Sequence, residues 1–263
     1  MNTPVYIISL ASATARRAFQ EAQASALGFS PVWRAALGIE AFSDEEFLRH
    51  AFHWQRPLKK TEVGCFLSHL QLWQMIAAGT TPAVVLEDDV ILSNDWPQVI
   101  DQLATLEGVD CINLEAVGKK QLGQAQQSGA WTLRRLHLNS SGAGAYLLWP
   151  EGARKLLQHH EREGAGLADA FMSEARAFEA WQLYPARVIQ MCMLSDYGLP
   201  AMEEGVSHIA RERHASPVPP NAQVYWQMKW RRLRGEWRKG LRRLGVLWGQ
   251  QREYVPYLHH QRR

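Results

Sequence analysis

Cysteine is scarce in this chain. Cys65, Cys111 and Cys192 are the only three, odd in number and widely separated, which excludes a disulfide framework and leaves no cysteine-based metal spacing. Buried thiols in a reducing compartment are expected. No stretch approaches the roughly 18 to 20 uninterrupted apolar residues of a membrane span. The amino terminus reads VYIISL and then polar residues. It lacks the basic leader, longer apolar stretch and small-residue cleavage site of a secretory signal, so a cytoplasmic protein is expected. Nor does one sign of charge dominate, the total being +3 over 263 residues. That length suits one large α/β domain, or one domain with an appendage.

The small total hides an asymmetry. Residues 221–263 hold eleven Lys and Arg against Glu236 and Glu253, a net +9, which leaves −6 for the remainder. An acidic body with a basic tail points the tail toward an anionic surface, membrane or nucleic acid. Pro217, Pro219 and Pro220 mark the boundary between a domain over 1–220 and a tail over 221–263. In the tail, Trp226, Trp230, Leu233, Trp237, Leu241, Leu244 and Trp248 fall on one helical stripe, with Arg231, Arg232, Arg234, Arg238, Lys239, Arg242 and Arg243 between them. The stripe packs on the body, or the segment binds RNA by stacking and charge, or the helix lies in a bilayer interface. The tryptophans suit the headgroup level and the basic chains snorkel, so residues 226–248 are read as a contact with an anionic membrane. The acidic body argues against nucleic acid.

The body is organised around Pro82–Leu92, PAVVLEDDVIL. Ala83, Val84, Val85 and Leu86 read as a central strand covered on both faces. Glu87, Asp88 and Asp89 then fall at its carboxyl end, where open α/β sheets place ligands. Three adjacent carboxylates repel one another, so either water solvates them as a surface turn or a cation offsets their charge. Oxygen ligands such as Asp89 suit Mn²⁺ or Mg²⁺, which keep positions open for diphosphate oxygens.

Around that strand the elements follow in order. Val5–Leu10 reads as the first strand and residues 12–27 as a helix with Arg16 and Arg17 in its first turn, where a phosphate would lie. Phe29–Leu37 is a second strand and residues 39–60 a long polar-aromatic connection. Thr61 is a cap for a helix from Glu62 to Ala78, on which Ser68 and His69 are either satisfied core groups or groups aimed at a ligand. Asn94 or Asp95 caps the helix Trp96–Leu106, and Asp110–Leu114 is a strand. Gly118–Gly129 reads as a mobile surface loop able to close over a substrate. Trp131–Leu138 and Ala143–Trp149 are strands, Pro150 opens a helix over 151–160, and a helix from Ala168 runs to Ala180. Leu183–Gln190 is a late strand, and residues 195–220 are irregular.

Taken as an ordered set, VYIISL with Arg17 after it, EVGCFLSHLQLW, VVLEDDV, SGAGAYLLWPEGARKLL, ADAF and LYPARVIQ closely resembles the family 25 glycosyltransferases. These are bacterial lipopolysaccharide and lipooligosaccharide galactosyltransferases, related to collagen galactosyltransferases, and the resemblance covers residues 4–210. It implies a GT-A type, Rossmann-like α/β domain that uses a UDP-sugar, a divalent ion and a lipid-linked oligosaccharide acceptor. By resemblance, Glu87 and Asp89 occupy the outer positions of an Asp-x-Asp motif. Asp89 would hold the Mn²⁺ or Mg²⁺, with Glu87 on the ion, its water or the ribose. Ser9, Leu10 and Arg17 match the nucleotide-binding segment, and Ser68 and His69 the Gly-Cys-x-x-Ser-His signature, which assigns them to the donor site. An inverting transfer needs a carboxylate base. Asp169 is either that base or a helix N-cap, with Glu174 as the second choice, and His208 is a further candidate metal ligand. The resemblance implies an enzyme peripheral on the cytosolic face of the bacterial inner membrane. Deleting residues beyond Pro220 is then expected to release it from vesicles while sparing transfer to a soluble acceptor.

Overall fold

The computed structural model describes residues 3–139, 142–202 and 217–258. Its central strand is β3 (Ala83–Glu87). Successive side chains of a strand point to opposite faces, and β3 is apolar on both, so both must be covered. Val84 and Leu86 share one apolar cluster with Ala24 of α1 (Thr14–Leu27) and Trp96, Val99, Ile100 and Leu103 of α4 (Trp96–Leu103). Ala83 and Val85 share the other with Phe66 and Trp73 of α3 (Lys60–Ala78), Leu156 of α5 (Pro150–Glu163) and Phe171 of α6 (Ala168–Glu174). The expected α/β class is present as helices on both faces of one sheet.

That sheet is mixed and has nine strands. Beside β3 lie β1 (Val5–Ser9) and then β2 (Val32–Ala35), both parallel, and on its other side β8 (Ala145–Leu148), antiparallel. Outward from β8 come β5 (Cys111–Asn113), β9 (Ala180–Tyr184), β7 (Trp131–Leu138), β6 (Lys119–Ser128) and β11 (Gln251–Tyr254). A separate ribbon pairs β4 (Val90–Leu92) with β10 (Val188–Gln190). The turn between β3 and β4 carries the three acids, and the ribbon grips it: the Met191 N–H donates to the Asp89 carbonyl at 2.8 Å.

Several expectations are corrected. Gly118–Gly129 is no loop, because most of it is β6, paired on both sides by β7 and β11. Lys120 is fully buried there, and its ammonium donates to Asn113, the Glu115 carbonyl and Gln182 at 2.6–2.8 Å. The connection over 39–60 contains α2 (Asp44–Ala51), opened by a capping box in which Ser43 and Glu46 satisfy each other's backbone N–H groups. Thr61 lies inside α3, whose N-cap is Lys59, with the Lys59 N–H donating to Glu62 at 2.8 Å. The helix from Ala168 stops at Glu174, where Ala175 turns extended. The late strand divides into the end of β9 and β10.

The segment after Pro220 is part of the body. Helix α7 (Ala222–Arg243) lies on it through the buried Met228 and Gly235, and β11 completes the edge of the sheet. Gly235 lies close to the Gln55 side chain, whose amide a Cβ there, 2.4 Å from its nitrogen, would displace. Arg231 donates to the Phe52 carbonyl at 2.9 Å, Arg234 pairs with Glu163, and Arg242 donates to the Ser173 carbonyl. The tryptophan stripe faces away from these contacts, with Trp226 68%, Trp230 65%, Trp237 69% and Trp248 75% exposed. No helix among the described residues is long and apolar enough to cross a membrane.

Candidate active site

A cleft of about 330 Å³ opens over the carboxyl ends of β1, β2 and β3. Its lining includes Ser9, Leu10, Arg16, Cys65, Ser68, His69, Glu87, Asp88 and Asp89. The ends of β1 and β3 deliver the first and last of these, α1 supplies Arg16 and α3 supplies Cys65, Ser68 and His69, as strand ends and flanking helices do in open α/β sheets.

The three acids differ in their neighbours. Asp88 accepts from the Ser9 hydroxyl at 2.7 Å and from the Arg16 guanidinium at 3.0 Å, and its carbonyl accepts from Gln20 at 3.1 Å. It fastens β1 and α1 to the turn. Asp89 is nearly buried, yet its Oδ1 has no hydrogen-bond partner. Burial first, then the charge of Glu87, pushes its carboxyl up to about 7 against the opposing pull of Arg16, 3.9 Å away. An orphaned, buried carboxylate oxygen beside a second carboxylate fits a hard divalent cation, which offsets the charge and fills the empty lone pair. Glu87 is more open, and its Oε1 lies 3.4 Å from His69 Nε2 and 4.0 Å from Cys65 Sγ.

His69 is fixed from behind. The Trp73 indole N–H, which can only donate, gives its hydrogen to the Tyr146 hydroxyl oxygen at 2.9 Å. That hydroxyl is then free to donate to His69 Nδ1, also at 2.9 Å, which leaves the Nε2 proton facing Glu87. Ser68 instead joins backbone to backbone, accepting from the Leu37 N–H at 2.8 Å and donating to the Gly64 carbonyl at 2.7 Å. It holds the loop after β2 against α3 and so shapes the cleft wall.

Behind the acids lies a group without a sequence motif. Glu115 is fully buried, and its Oε1 accepts from the Gly144 N–H at 3.0 Å while Oε2 has no partner. Burial pushes it up to about 8, and the same burial holds the neighbouring Lys120 well below its usual range. The Gly144 carbonyl accepts from the Glu87 N–H at 2.8 Å, so one glycine ties both acids together. A Cβ on it would meet Gln190 at 2.5 Å and Glu115 at 2.8 Å.

A second cavity, of about 400 Å³, lies between β7, α6 and the carboxyl end of α7. Asn139, Asp169, Ser173, Arg176, Arg242 and Trp248 are among its lining. Asp169 is not an N-cap: Leu167 holds that position, and the Asp169 carboxylate accepts from the Ala170 N–H at 2.6 Å. Burial raises its pKa, and it lines this second cavity and not the first. Glu174 lies elsewhere, accepting from Gln55 at 2.8 Å with α7 arginines nearby.

Ser9, Leu10, Ser68, His69, Glu87 and Asp89 thus meet in one cleft. Arg17 does not join them, since its guanidinium stacks 4.5 Å above Trp33. Arg16 takes the cleft position instead, and its helical phase with Gln20 and Ala24, the buried stripe of α1, was the available signal. His208 lies outside the described residues.

Comparison with known proteins places the chain in a family. The family model described as glycosyltransferase family 25 (LPS biosynthesis protein) matches residues 2–172. A Bos taurus protein named probable inactive glycosyltransferase 25 family member 3 is 36% identical over 111 residues, 39% of this chain and 18% of that one. A glycosyltransferase 25 family member of Aedes aegypti is 31% identical over 118 residues, 41% and 19% of the two chains. One of Anopheles gambiae is 28% identical over 170 residues, 59% and 28%. The chain therefore spans less than a third of the length of these relatives. Among solved structures, mannose-1-phosphate geranyltransferase from Thermus thermophilus aligns at 13% identity with a TM-score of 0.36, over 71% of this chain and 75% of that one. With the family match running from the first strand into the helix that carries Asp169, this chain belongs to glycosyltransferase family 25.

Proposed function

We propose that this chain is a GT-A type, metal-dependent, inverting glycosyltransferase that moves a sugar, galactose from UDP-galactose by family likeness, to a lipopolysaccharide or lipooligosaccharide core glycan. The observation that carries this reading is Asp89, with its orphaned Oδ1 beside Glu87 in a cleft reached by the first strand–helix junction. Asp89 and Glu87 would hold Mn²⁺ or Mg²⁺, with His208 the candidate third ligand. That ion would supply Lewis-acid stabilisation of the charge on the leaving diphosphate. Ser9, Leu10 and the wall braced by Ser68 enclose the nucleotide, and Arg16 holds the acid turn in position through Asp88. His69, aimed by Tyr146, directs its N–H at Glu87 and so orients that carboxylate.

Asp169 takes the acceptor hydroxyl's proton. Its raised affinity for a proton, caused by burial, suits a general base. The second cavity seats the acceptor, because Asp169 lines it. The outward tryptophans of α7, flanked by the exposed Lys229, Arg232 and Arg243, favour an anionic membrane surface, where a lipid-linked acceptor is concentrated. A cytosolic position on the bacterial inner membrane follows from that acceptor. No nucleic-acid partner belongs to this reading.

A donor screen tests it: each UDP-sugar with Mn²⁺ and a truncated lipooligosaccharide, read by mass. One hexose added with wild type and none with Asp89→Asn is expected. Full transfer by Asp89→Asn would sink the site assignment, and free sugar released at one rate with or without acceptor would make the protein a nucleotide-sugar hydrolase. Some relatives are named inactive. Mn²⁺-dependent UDP binding separates the enzyme from a non-catalytic scaffold of the same fold, because a folded protein without it cannot perform the transfer.

A further inference from the structure

The cleft also contains a softer donor set. Cys65 and His69 are four residues apart on α3, which places them on one face of the helix, and Glu87 ends the strand opposite. His69 Nε2 and Cys65 Sγ lie 3.4 and 4.0 Å from the same Glu87 oxygen. One ligand atom from each residue falls within 4.8 Å of the other two. Tetrahedral zinc binds nitrogen and oxygen at about 2.0–2.2 Å and thiolate sulfur at about 2.3 Å, which separates neighbouring ligand atoms by roughly 3.3–3.8 Å. The Cys65–Glu87 edge therefore needs to close by a few tenths of an ångström, and the Cys65–His69 edge, within 4.8 Å, by about 1 Å at most, for the three to share an ion. A thiolate and a carboxylate also cancel its two charges, so the complex is neutral, as a partly buried position favours.

We propose that Cys65, His69 and Glu87 form a three-ligand site for a borderline-soft divalent cation, zinc above all, with a fourth position open to the cleft. Sulfur and imidazole select zinc over magnesium or manganese, whereas the oxygens of Asp89 and Glu87 do the reverse. On binding, the Cys65 S–H proton leaves to solvent as the sulfur–zinc bond forms, and no electron moves. His69 stays neutral by changing tautomer: its Nε2 proton leaves to solvent, the freed lone pair goes to the ion, and a proton taken up from solvent at Nδ1 is donated to the Tyr146 oxygen, whose own hydrogen turns away from His69. A ligating histidine commonly makes such a second bond. Because Glu87 belongs to both donor sets, zinc here withdraws it from an ion held by Asp89. Zinc is then an antagonist of the harder metal within one cleft.

The site is a property of three side chains and stands whether or not sugar transfer does. Cadmium is the probe, because its thiolate bond absorbs in the ultraviolet. The full chain is titrated with Cd²⁺ in a Cys192→Ser background, which removes the exposed thiol. We expect an absorption band that saturates at one Cd²⁺ per chain and is bleached by Zn²⁺ but not by Mg²⁺. It is lost in Cys65→Ser, at least ten-fold weaker in Glu87→Gln, and retained in Asp89→Asn. Circular dichroism confirms that each variant is folded. A band that survives Cys65→Ser, or its absence from the folded Cys192→Ser protein, overturns the site. Its loss in folded Asp89→Asn overturns the separation of the two donor sets.

Discussion

Three neighbouring acids act differently because different residues reach them. Asp88 is anchored by Ser9 and Arg16, 79 and 72 residues away in sequence, so the EDD triplet alone gives no sign that its middle member is the structural one. Removing one partner of a buried ion pair costs about 3–5 kcal/mol. Asp88→Asn keeps the Ser9 contact, and a loss near the lower end is expected in urea unfolding. Asp89 behaves oppositely. Its carboxyl is pushed up to about 7 and that of Glu115 to about 8, both above their unfolded values near 4. Between these limits the native protein binds more protons than the unfolded chain, so stability is full below about pH 4 and falls as pH rises through 7 to 8. Lys120, held down by burial, acts in the other direction only above about pH 8. Metal-free protein should therefore weaken from pH 5 to 8, and Asp89→Asn and Glu115→Gln should each flatten that slope. Urea midpoints at fixed ionic strength measure it, and an unchanged slope in both variants would contradict the burial argument. Asp89 was legible because a strand pattern ended on it. Glu115 was not, because its burial is created by Gly144 and Lys120 rather than by its own neighbours in sequence.

Among the elements, α7 separates pattern from destination. The period of its tryptophans was readable, but which face would meet the body was not, since an apolar stripe ordinarily turns inward. Here the inward face is basic: Arg231 and Arg242 reach backbone carbonyls and Arg234 reaches Glu163, so the body supplies acceptors and the tryptophans remain outside. A tryptophan side chain offers roughly 150–250 Å², and burying about 100 Å² of it in lipid contributes about 2.5 kcal/mol. Trp230→Glu or Trp237→Glu should lower sedimentation with anionic vesicles more than ten-fold and leave the melting temperature within about 2 °C. Binding of the unaltered protein should weaken with added salt, as screened surface charge requires. Equal sedimentation of the variants and wild type would remove lipid as the partner of this face. Strand β6 marks the opposite limit. Its Gln-rich composition resembles a loop, and only partners drawn from β7, β11 and the 242–250 segment make it a strand.

At the scale of the whole molecule, residues after Pro220 wall the second cavity, the one that Asp169 lines. Leu241, Arg242, Gly245, Trp248 and Gln250 line the second cavity, β11 covers the edge of β6, and Glu253 and Gln251 satisfy the buried guanidinium of Arg134. A proline-marked boundary at residue 220 was legible in composition, but an edge strand contributed after it was not, because sheet neighbours are set by pairing and not by proximity in sequence. The consequence separates a tether from a structural element. A tether could be cut with transfer to a soluble acceptor intact, whereas here truncation after Pro220 strips the sheet edge, opens the second cavity and strands Arg134. Leaving such a charge without its partners costs about 3 kcal/mol, which in a chain of this size lowers the melting temperature by on the order of 10 °C. An unpaired β6 edge adds a template for aggregation. The truncated chain should therefore melt earlier, exchange the amide hydrogens of β6 quickly and lose transfer even to soluble acceptor. Trp230→Glu should lose only the vesicle. Differential scanning calorimetry with hydrogen exchange reads the first set, and a truncated protein with the full melting temperature and full soluble-acceptor activity would restore the tether.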